Sequence, residues 1–410
     1  MNGVLLPMLR NSDVVAARER IRSGVARTTC PQSFALEARA EGRFHLKTEF
    51  RQRTGSFKDR GSLHKLLRLG PAAREGGVVA ASAGNHAQAL AYHASRLEIA
   101  CTIVMPTHAP LIKVAHTRGY GARVIQTGET LSDGMALVDR LAREEGLTPV
   151  HAFDDLDVMA GQGTIGLEIL EQVPDLTTVI VPVGGGGMIS GIATVVKAQR
   201  PNVRVIGVEA AASPGARESL AAGKPVHLEN SDTLADGIAV KRIGDLAFPH
   251  LATLVDDIVL IGEEQITRAI FFLLESEKFV VEGGGAVSVA AVLEEKVELE
   301  PSDVTVCILS GGNIDMNLVS RVIDRALWAD GRLARLAVVV RDRPGYLNEV
   351  TALVAIEGAN VLHIEHTRAF GDISVGKVGI ELTIETRGRD HIATIVARLR
   401  ELGHRVEELS

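Results

Sequence analysis

The stretch VPVGGGGMISGIA, residues 181–193, runs an apolar segment into four consecutive glycines and then into a helix-like segment of small residues. Strand, glycine turn, helix is the repeating step of a βαβ fold, and the chain on either side repeats it. RFHLKTE, GVVAAS, ACTIVMP, ARVIQT, TVIVPVG, VRVIGVE and DVTVCILS are short apolar runs, separated by amphipathic stretches such as NHAQALAYHASRL and MISGIATVVKAQR. Apolar strands alternating with helices predict an α/β fold of right-handed crossovers and parallel sheets covered on both faces. Ligands then belong where loops leave the carboxyl ends of strands.

The glycines point to a ligand at that edge. Without side chains, backbone N–H groups can converge on an anion, and a following helix adds positive potential. A flexible turn is the plainer alternative, but four consecutive glycines cost conformational entropy that a bare turn does not recover. The pattern is neither G-x-G-x-x-G nor a Walker A loop, so a simple phosphate ester fits better than a nucleotide.

Three further stretches end strands in the same way. RTGSFKDRGS, residues 53–62, sets Lys58 between Phe57 and Asp59-Arg60-Gly61. ASAGNHAQALA, 81–91, places Ser82, Gly84 and Asn85 where a helix begins. There Ser82 or Asn85 could serve only as a cap, with His86 and Gln88 on the surface, and capping and carboxylate binding need not compete. ILSGGNID, 308–315, puts Ser310 before two glycines and is weak alone. A lysine, a phosphate loop and polar strand ends at one sheet edge fit a phosphate ester bearing an aldehyde, pyridoxal 5′-phosphate. Burial beside Phe57 and a nearby cation would lower the lysine's pKa so that it attacks a carbonyl.

Composition removes other classes. A net charge of −7 with no block of like charge argues against nucleic acid or anionic membrane as partner. Three separated cysteines, Cys30, Cys101 and Cys307, form no disulfide or metal pattern, so a reducing cytoplasm is expected. The N-terminal MNGVLLPMLRNSDVV lacks the charge and apolar length of a signal peptide or membrane span, and Asn11-Ser12-Asp13 reads as a helix start.

Taken in order, TGSFKDRG, SAGNHAQ, VPVGGGGMISG, LADGIAV and SGGNID resemble the threonine ammonia-lyase (threonine dehydratase) and serine racemase group. That group lies in the tryptophan-synthase-β-like class of pyridoxal-phosphate enzymes, whose fold is two parallel-sheet α/β subdomains. The resemblance implies that Lys58 bonds the cofactor and shuttles the Cα proton, with Phe57 under the ring and Asn85 on the phenolic oxygen. It implies Gly184, Gly185, Gly186, Gly187 and Met188 around the phosphate and Ser310 at the pyridine nitrogen. Ser82, Gly84 and His86 would receive the substrate carboxylate, Gly237 would border the pocket, and Ser82 would be the second acid/base if the enzyme is a racemase. The implied reaction is deamination of L-threonine to 2-oxobutanoate and ammonia, and of L-serine to pyruvate. Serine racemisation, or a lyase for another β-hydroxy amino acid, is the alternative.

After a break near Trp328–Gly331 the chain reads βαββαβ, a ferredoxin-like order. VVVRDRPGYLNEVTALVAIEGANVLHIEHTRAF resembles an ACT domain, an amino-acid-sensing module whose pairing with this catalytic region is typical of the threonine ammonia-lyases. We therefore expect a catalytic domain over 1–330 and a regulatory domain over 335–410. Isoleucine or valine would act near Asp342, Pro344, Gly345 and Asn360, in a homodimer or homotetramer. Two positions depart from the family pattern: Asp59, where an apolar residue is usual, and Phe50, where Asn is common. Glu209 matches the first ligand of the cation site of serine racemase, yet Gly215 stands six residues later instead of an acid, so no metal is expected and Glu209 reads as a cap or loop carboxylate.

Overall fold

Every apolar run read as a strand is one in the computed structural model, which describes residues 6–368, 374 and 376–409. In chain order the strands are β1 (Arg43–Lys47), β2 (Val78–Ala81), β3 (Cys101–Met105), β4 (Arg123–Gln126), β5 (Thr148–Pro149), β6 (Thr178–Pro182), β7 (Arg204–Ala210), β8 (Asp257–Ile261), β9 (Val304–Ile308), β10 (Leu333–Arg341), β11 (Asn360–Thr367), β12 (Lys377–Glu385) and β13 (Arg405–Leu409). The sequence reading lacks β5 and β8. Thr148–Pro149 is too short to show a period, and β8 opens on Asp257, a residue type depleted in strands. The strand expected to end at Ala369 runs out of the described residues, as does the N-terminal Met1–Leu5.

The chain divides into two compact units, residues 1–314 and 315–410. In the first, two parallel sheets have the orders β1-β9-β6-β7-β8 and β4-β3-β2-β5. Every position of β6 and β9 is buried, which is why TVIVP and VTVCI read as unbroken apolar runs. Non-consecutive neighbours such as β9 beside β6 make the strand order switch, and ligand crevices lie at such switches.

Behind the lysine stretch lies a buried ionic cluster. Arg60 donates to Glu49 through Nε and Nη2, both at 2.8 Å, and to Glu168 through Nη1 at 2.7 Å. Lys47 Nζ completes it, 2.6 Å from Glu168 and 2.8 Å from the Thr28 carbonyl. Two cations face two carboxylates with their hydrogen bonds filled, the arrangement that makes buried charge tolerable. The cluster joins β1, helix Lys58–Arg68 and helix Leu156–Gln172. Lys47 and Glu49 of KTEFRQRTG are thus structural.

The N-terminal helix spans Asn11–Ile21, with Arg10 at its cap position. Asp13 accepts the Arg10 N–H at 3.0 Å, so it reaches back to the cap and is not the cap itself.

In the second unit β11-β12-β10-β13 form an antiparallel sheet, with helices Tyr346–Ile356 and Arg389–Glu401 after β10 and β12. Alternate residues of β10 and β12 are buried, the period of a sheet with one covered face. Helix Met316–Ala329 sorts with this unit. Asp342–Gly345 form the turn into helix Tyr346–Ile356, where Gly345 takes φ +100, and Asn360 opens β11. Asp342 pairs with Arg368 at 3.4 Å. No helix of the described residues is long and apolar enough to cross a membrane.

Candidate active site

Three loops meet through their backbones. Phe57 N–H donates to the Ser310 carbonyl at 3.0 Å, Gly312 N–H to Gly55 at 2.9 Å, and Glu282 N–H to Gly311 at 3.0 Å. Ser56 and Gly311 form an isolated antiparallel bridge. Around this junction opens a cavity of about 360 Å³, lined by every position expected to hold cofactor or substrate: Phe57, Lys58, Ser82, Gly84, Asn85, His86, Gly184–Met188, Gly237 and Ser310. Phe50 and Asp59 do not. Phe50 stacks on Phe279, with centroids 5.2 Å apart. Asp59 accepts from Thr54 Oγ1 at 2.6 Å and faces His93 Nε2 at 3.4 Å, both side chains buried.

Lys58 is the first residue of its helix, and its Nζ donates to the Ala152 carbonyl at 2.7 Å. Burial pushes its pKa down to about 8, against the pull of the Glu282 charge, so neutral amine is available near neutrality. Two histidines nearby stay uncharged. His86 is pushed down to about 3 by burial and by Lys58, with Nε2 3.1 Å from the Val150 carbonyl. Burial also lowers His151, whose Nδ1 accepts the Asp154 N–H at 2.8 Å.

The cap-only reading of 81–91 does not hold. Gly84 occupies the cap position of helix Asn85–Arg96 without a side-chain bond, and His86 and Gln88 are buried, not on the surface. Ser82 Oγ accepts the Gly84 N–H at 3.2 Å, while Asn85 turns away to Glu282 at 2.7 Å. The leading amides of this helix therefore lack a side-chain cap, as an anion site requires.

The glycine loop is shaped by what a methyl group would strike. A Cβ at Gly185 would lie 2.2 Å from the Phe153 ring, and one at Gly187 2.6 Å from the Phe153 carbonyl. Gly186 adopts φ +89, and helix Gly187–Gln199 starts there with its first amides at the cavity. Ser310 Oγ donates to the Gly284 carbonyl at 3.2 Å and remains uncharged. A neutral hydroxyl, a glycine-framed helix start and a lysine of lowered pKa around one space suit a phosphorylated aldehyde.

The sequence reading missed the Ala152–Phe153 wall, Lys113 and Asp236, which pair at 2.6 Å on the cavity, and Glu282 behind Asn85. Asp236 sits inside the quoted LADGIAV, and Glu282 precedes three glycines, the one local signal that marked it. Glu209 accepts from the amides of Ala216 and Arg217 at 2.7 and 3.0 Å, which makes it a cap for helix Gly215–Ala222.

Residues 21–311 match the model of the pyridoxal-phosphate dependent enzyme family, and residues 334–404 that of the ACT domain. The L-threonine ammonia-lyase of Thermotoga maritima is 44% identical, over 97% of this chain and 99% of its own. Among solved structures, a T.th. threonine deaminase is 41% identical with TM-score 0.71, covering 75% of this chain and 99% of its own. Maize serine racemase is 34% identical with TM-score 0.74, covering 79% of this chain and 99% of its own.

Proposed function

The chain belongs to the pyridoxal-phosphate dependent enzymes and carries an ACT domain, and from this we propose that it is a threonine ammonia-lyase. It converts L-threonine to 2-oxobutanoate and ammonia, and L-serine to pyruvate and ammonia. The observation that carries the reading is that the Lys58 amine, its pKa lowered to about 8, and the Gly184–Gly187 helix start open onto one cavity. The near-full-length likeness to an L-threonine ammonia-lyase supports the substrate.

Bound pyridoxal phosphate supplies the electron sink that lets the Cα–H bond of an amino acid ionise. Lys58 would hold the cofactor at its aldehyde carbon, and its amine would take the Cα proton of the substrate. The amides of Gly184–Gly187 and Met188 would hold the phosphate, Phe57 would pack beneath the ring, and Asn85 would donate to the phenolic oxygen. Ser310 would offer the ring nitrogen an uncharged hydroxyl, which would not force it to take a proton and would so disfavour transamination. The Ser82–His86 helix start receives the substrate carboxylate, and Gly237 keeps the opposite wall low. Hydrolysis of the released product yields the keto acid and ammonia.

A second reading, racemisation of serine, is favoured by one feature: Ser82 lies on the cavity wall, where a second acid/base would stand. The proposal extends to a cytoplasmic homo-oligomer serving isoleucine synthesis, with isoleucine or valine as effector at the ACT domain. Exposed Leu362 and Ile364 on edge strand β11 support pairing of that domain.

The test is keto-acid formation from L-threonine by wild type beside Lys58→Ala, with chiral analysis of recovered serine. Release of 2-oxobutanoate by wild type alone supports the lyase. D-serine without keto acid moves the assignment to the racemase. Loss of the isoleucine response on removing residues 332–410 supports the regulatory assignment, and an intact response counts against it.

A further inference from the structure

We propose that Glu282 is a positioning residue of this site: its carboxyl fixes Asn85 as a hydrogen-bond donor toward the cavity, and the charge it carries sets the strength of that bond. The inference rests on the cofactor and lysine assignments made above.

The argument starts from a backbone carbonyl, which can only accept. The Asn313 atom 2.8 Å from the Thr54 carbonyl must therefore be Nδ2. Its other hydrogen goes to an Asn85 atom 2.8 Å away, which must be Oδ1. Asn85 is left with Nδ2 on its far side, 2.7 Å from Glu282 Oε1. One N–H is spent on the carboxyl, and the second is free for the cavity that Asn85 lines. Polarity thus runs in one direction from Thr54 to Glu282, and neither amide can flip without setting like atoms against each other.

The chain makes room for this carboxyl. A Cβ at Gly237 would lie 3.0 Å from Glu282 Oε1, and one at Gly311 only 2.2 Å from it. The two glycines stand on separate loops. Glu282 also occupies the cap position of helix Gly283–Leu293, where an acid usually accepts the helix's own amides, yet its side chain makes no cap bond. It is turned to Asn85 instead. Being 5% exposed and behind the cavity wall, it acts through Asn85 and not on substrate.

The charged groups that act on it are few. Lys58 comes from helix Lys58–Arg68, Lys113 from helix Leu111–Gly119 and Asp236 from the turn Asp236–Ile238. Burial and the Asp236 charge push the carboxyl up to about 7, against Asn85, Lys113 and the Asn313 amide. As a carboxylate it takes a charge-assisted bond from Asn85 and favours the protonated amine of Lys58. As an acid it does neither.

The experiment compares holoenzyme carrying Glu282→Gln, Glu282→Asp or Glu282→Ala with wild type. It follows the visible spectrum of bound cofactor and kcat/KM for L-threonine from pH 5.5 to 9. Wild type is expected to show a transition near pH 7 in both. Glu282→Gln keeps the cofactor, because its amide oxygen still accepts from Asn85, but loses that transition. Glu282→Asp, one methylene shorter, shifts it. Glu282→Ala weakens cofactor retention by on the order of tenfold, as removal of a buried partner does. A Glu282→Gln profile identical to wild type, or a Glu282→Asp transition unmoved should the first variant not fold, overturns the inference. So does a wild type with no transition. Wild type that binds no cofactor and makes no keto acid overturns the proposed function instead.

Discussion

The Phe57 amide and the Ser310 carbonyl are hydrogen-bonded at 3.0 Å, so the peptide that presents Lys58 is tied to the loop that presents the hydroxyl. The two residues lie at opposite ends of the catalytic region, and a one-residue slip in this contact would move either group away from the cavity. Gly55 holds the register from the other side, by accepting the Gly312 N–H at 2.9 Å.

That makes Gly55→Ala a sharp test. Gly55 adopts φ +80, and a Cβ there would lie 2.5 Å from Asn313 Oδ1. Strain of this kind costs about 1–3 kcal/mol, and a displaced Asn313 no longer orients Asn85. The expected outcome is a lower unfolding midpoint together with weaker cofactor binding. Gly70→Ala, where nothing lies within 4 Å of the added methyl, is the control that leaves cofactor binding unchanged. Equal behaviour of the two variants would refute the register argument.

Lys58 has a pH signature. Its pKa of about 8 lies well below the usual lysine value of 10.5, with burial as the cause. Only neutral amine adds to an aldehyde. Incorporation of pyridoxal phosphate into apoprotein, trapped by borohydride and located by mass spectrometry, should therefore rise through pH 8 at Lys58. At exposed lysines it should still be climbing at pH 10. Removing the Glu282 charge should move the Lys58 curve to lower pH, since that charge favours the ammonium form.

What was legible in the sequence follows physical range. The parallel sheets showed because fully buried strands such as β6 and β9 carry uninterrupted apolar runs, and the glycine loop showed because its constraint is local. Asn85 and Ser310 were legible as strand-end polar residues, but their partners were not. Glu282 is 197 residues from Asn85 in the chain, and the three glycines that follow it do not say which residue its carboxyl meets. Asp236 and Lys113, 123 residues apart, meet only once the fold brings them to the cavity. Lys47 was no more legible, because Glu168, its partner in the buried ionic cluster, lies 121 residues away in the chain.

That cluster should reveal itself as stability. Arg60→Met leaves Glu49 and part of Glu168 without their main partner while keeping apolar bulk. Breaking a buried pair in this way costs about 3–5 kcal/mol. Urea unfolding of the apoprotein should show a midpoint lowered accordingly. Double replacement of Arg60 and Glu49 by apolar residues should recover part of the loss, because the stranded charge is then gone as well. A single variant as stable as wild type would show that the cluster is solvated in solution.

Glu209 gives the clearest dependence of stability on pH. Burial pushes its carboxyl up to about 7, although the amides of Ala216 and Arg217 both bond it. The folded chain thus binds this proton more tightly than the unfolded chain, whose carboxyl has the ordinary value of 4.5. The contribution is fully present below pH 4.5 and is lost as pH rises through 7, amounting at most to about 3 kcal/mol. Glu209→Gln keeps one acceptor oxygen and cannot ionise, so its stability should fall less than that of wild type between pH 5 and pH 8. Parallel curves for the two proteins would mean that the folded carboxyl is already ionised at pH 5, and that the amides of helix Gly215–Ala222 outweigh its burial.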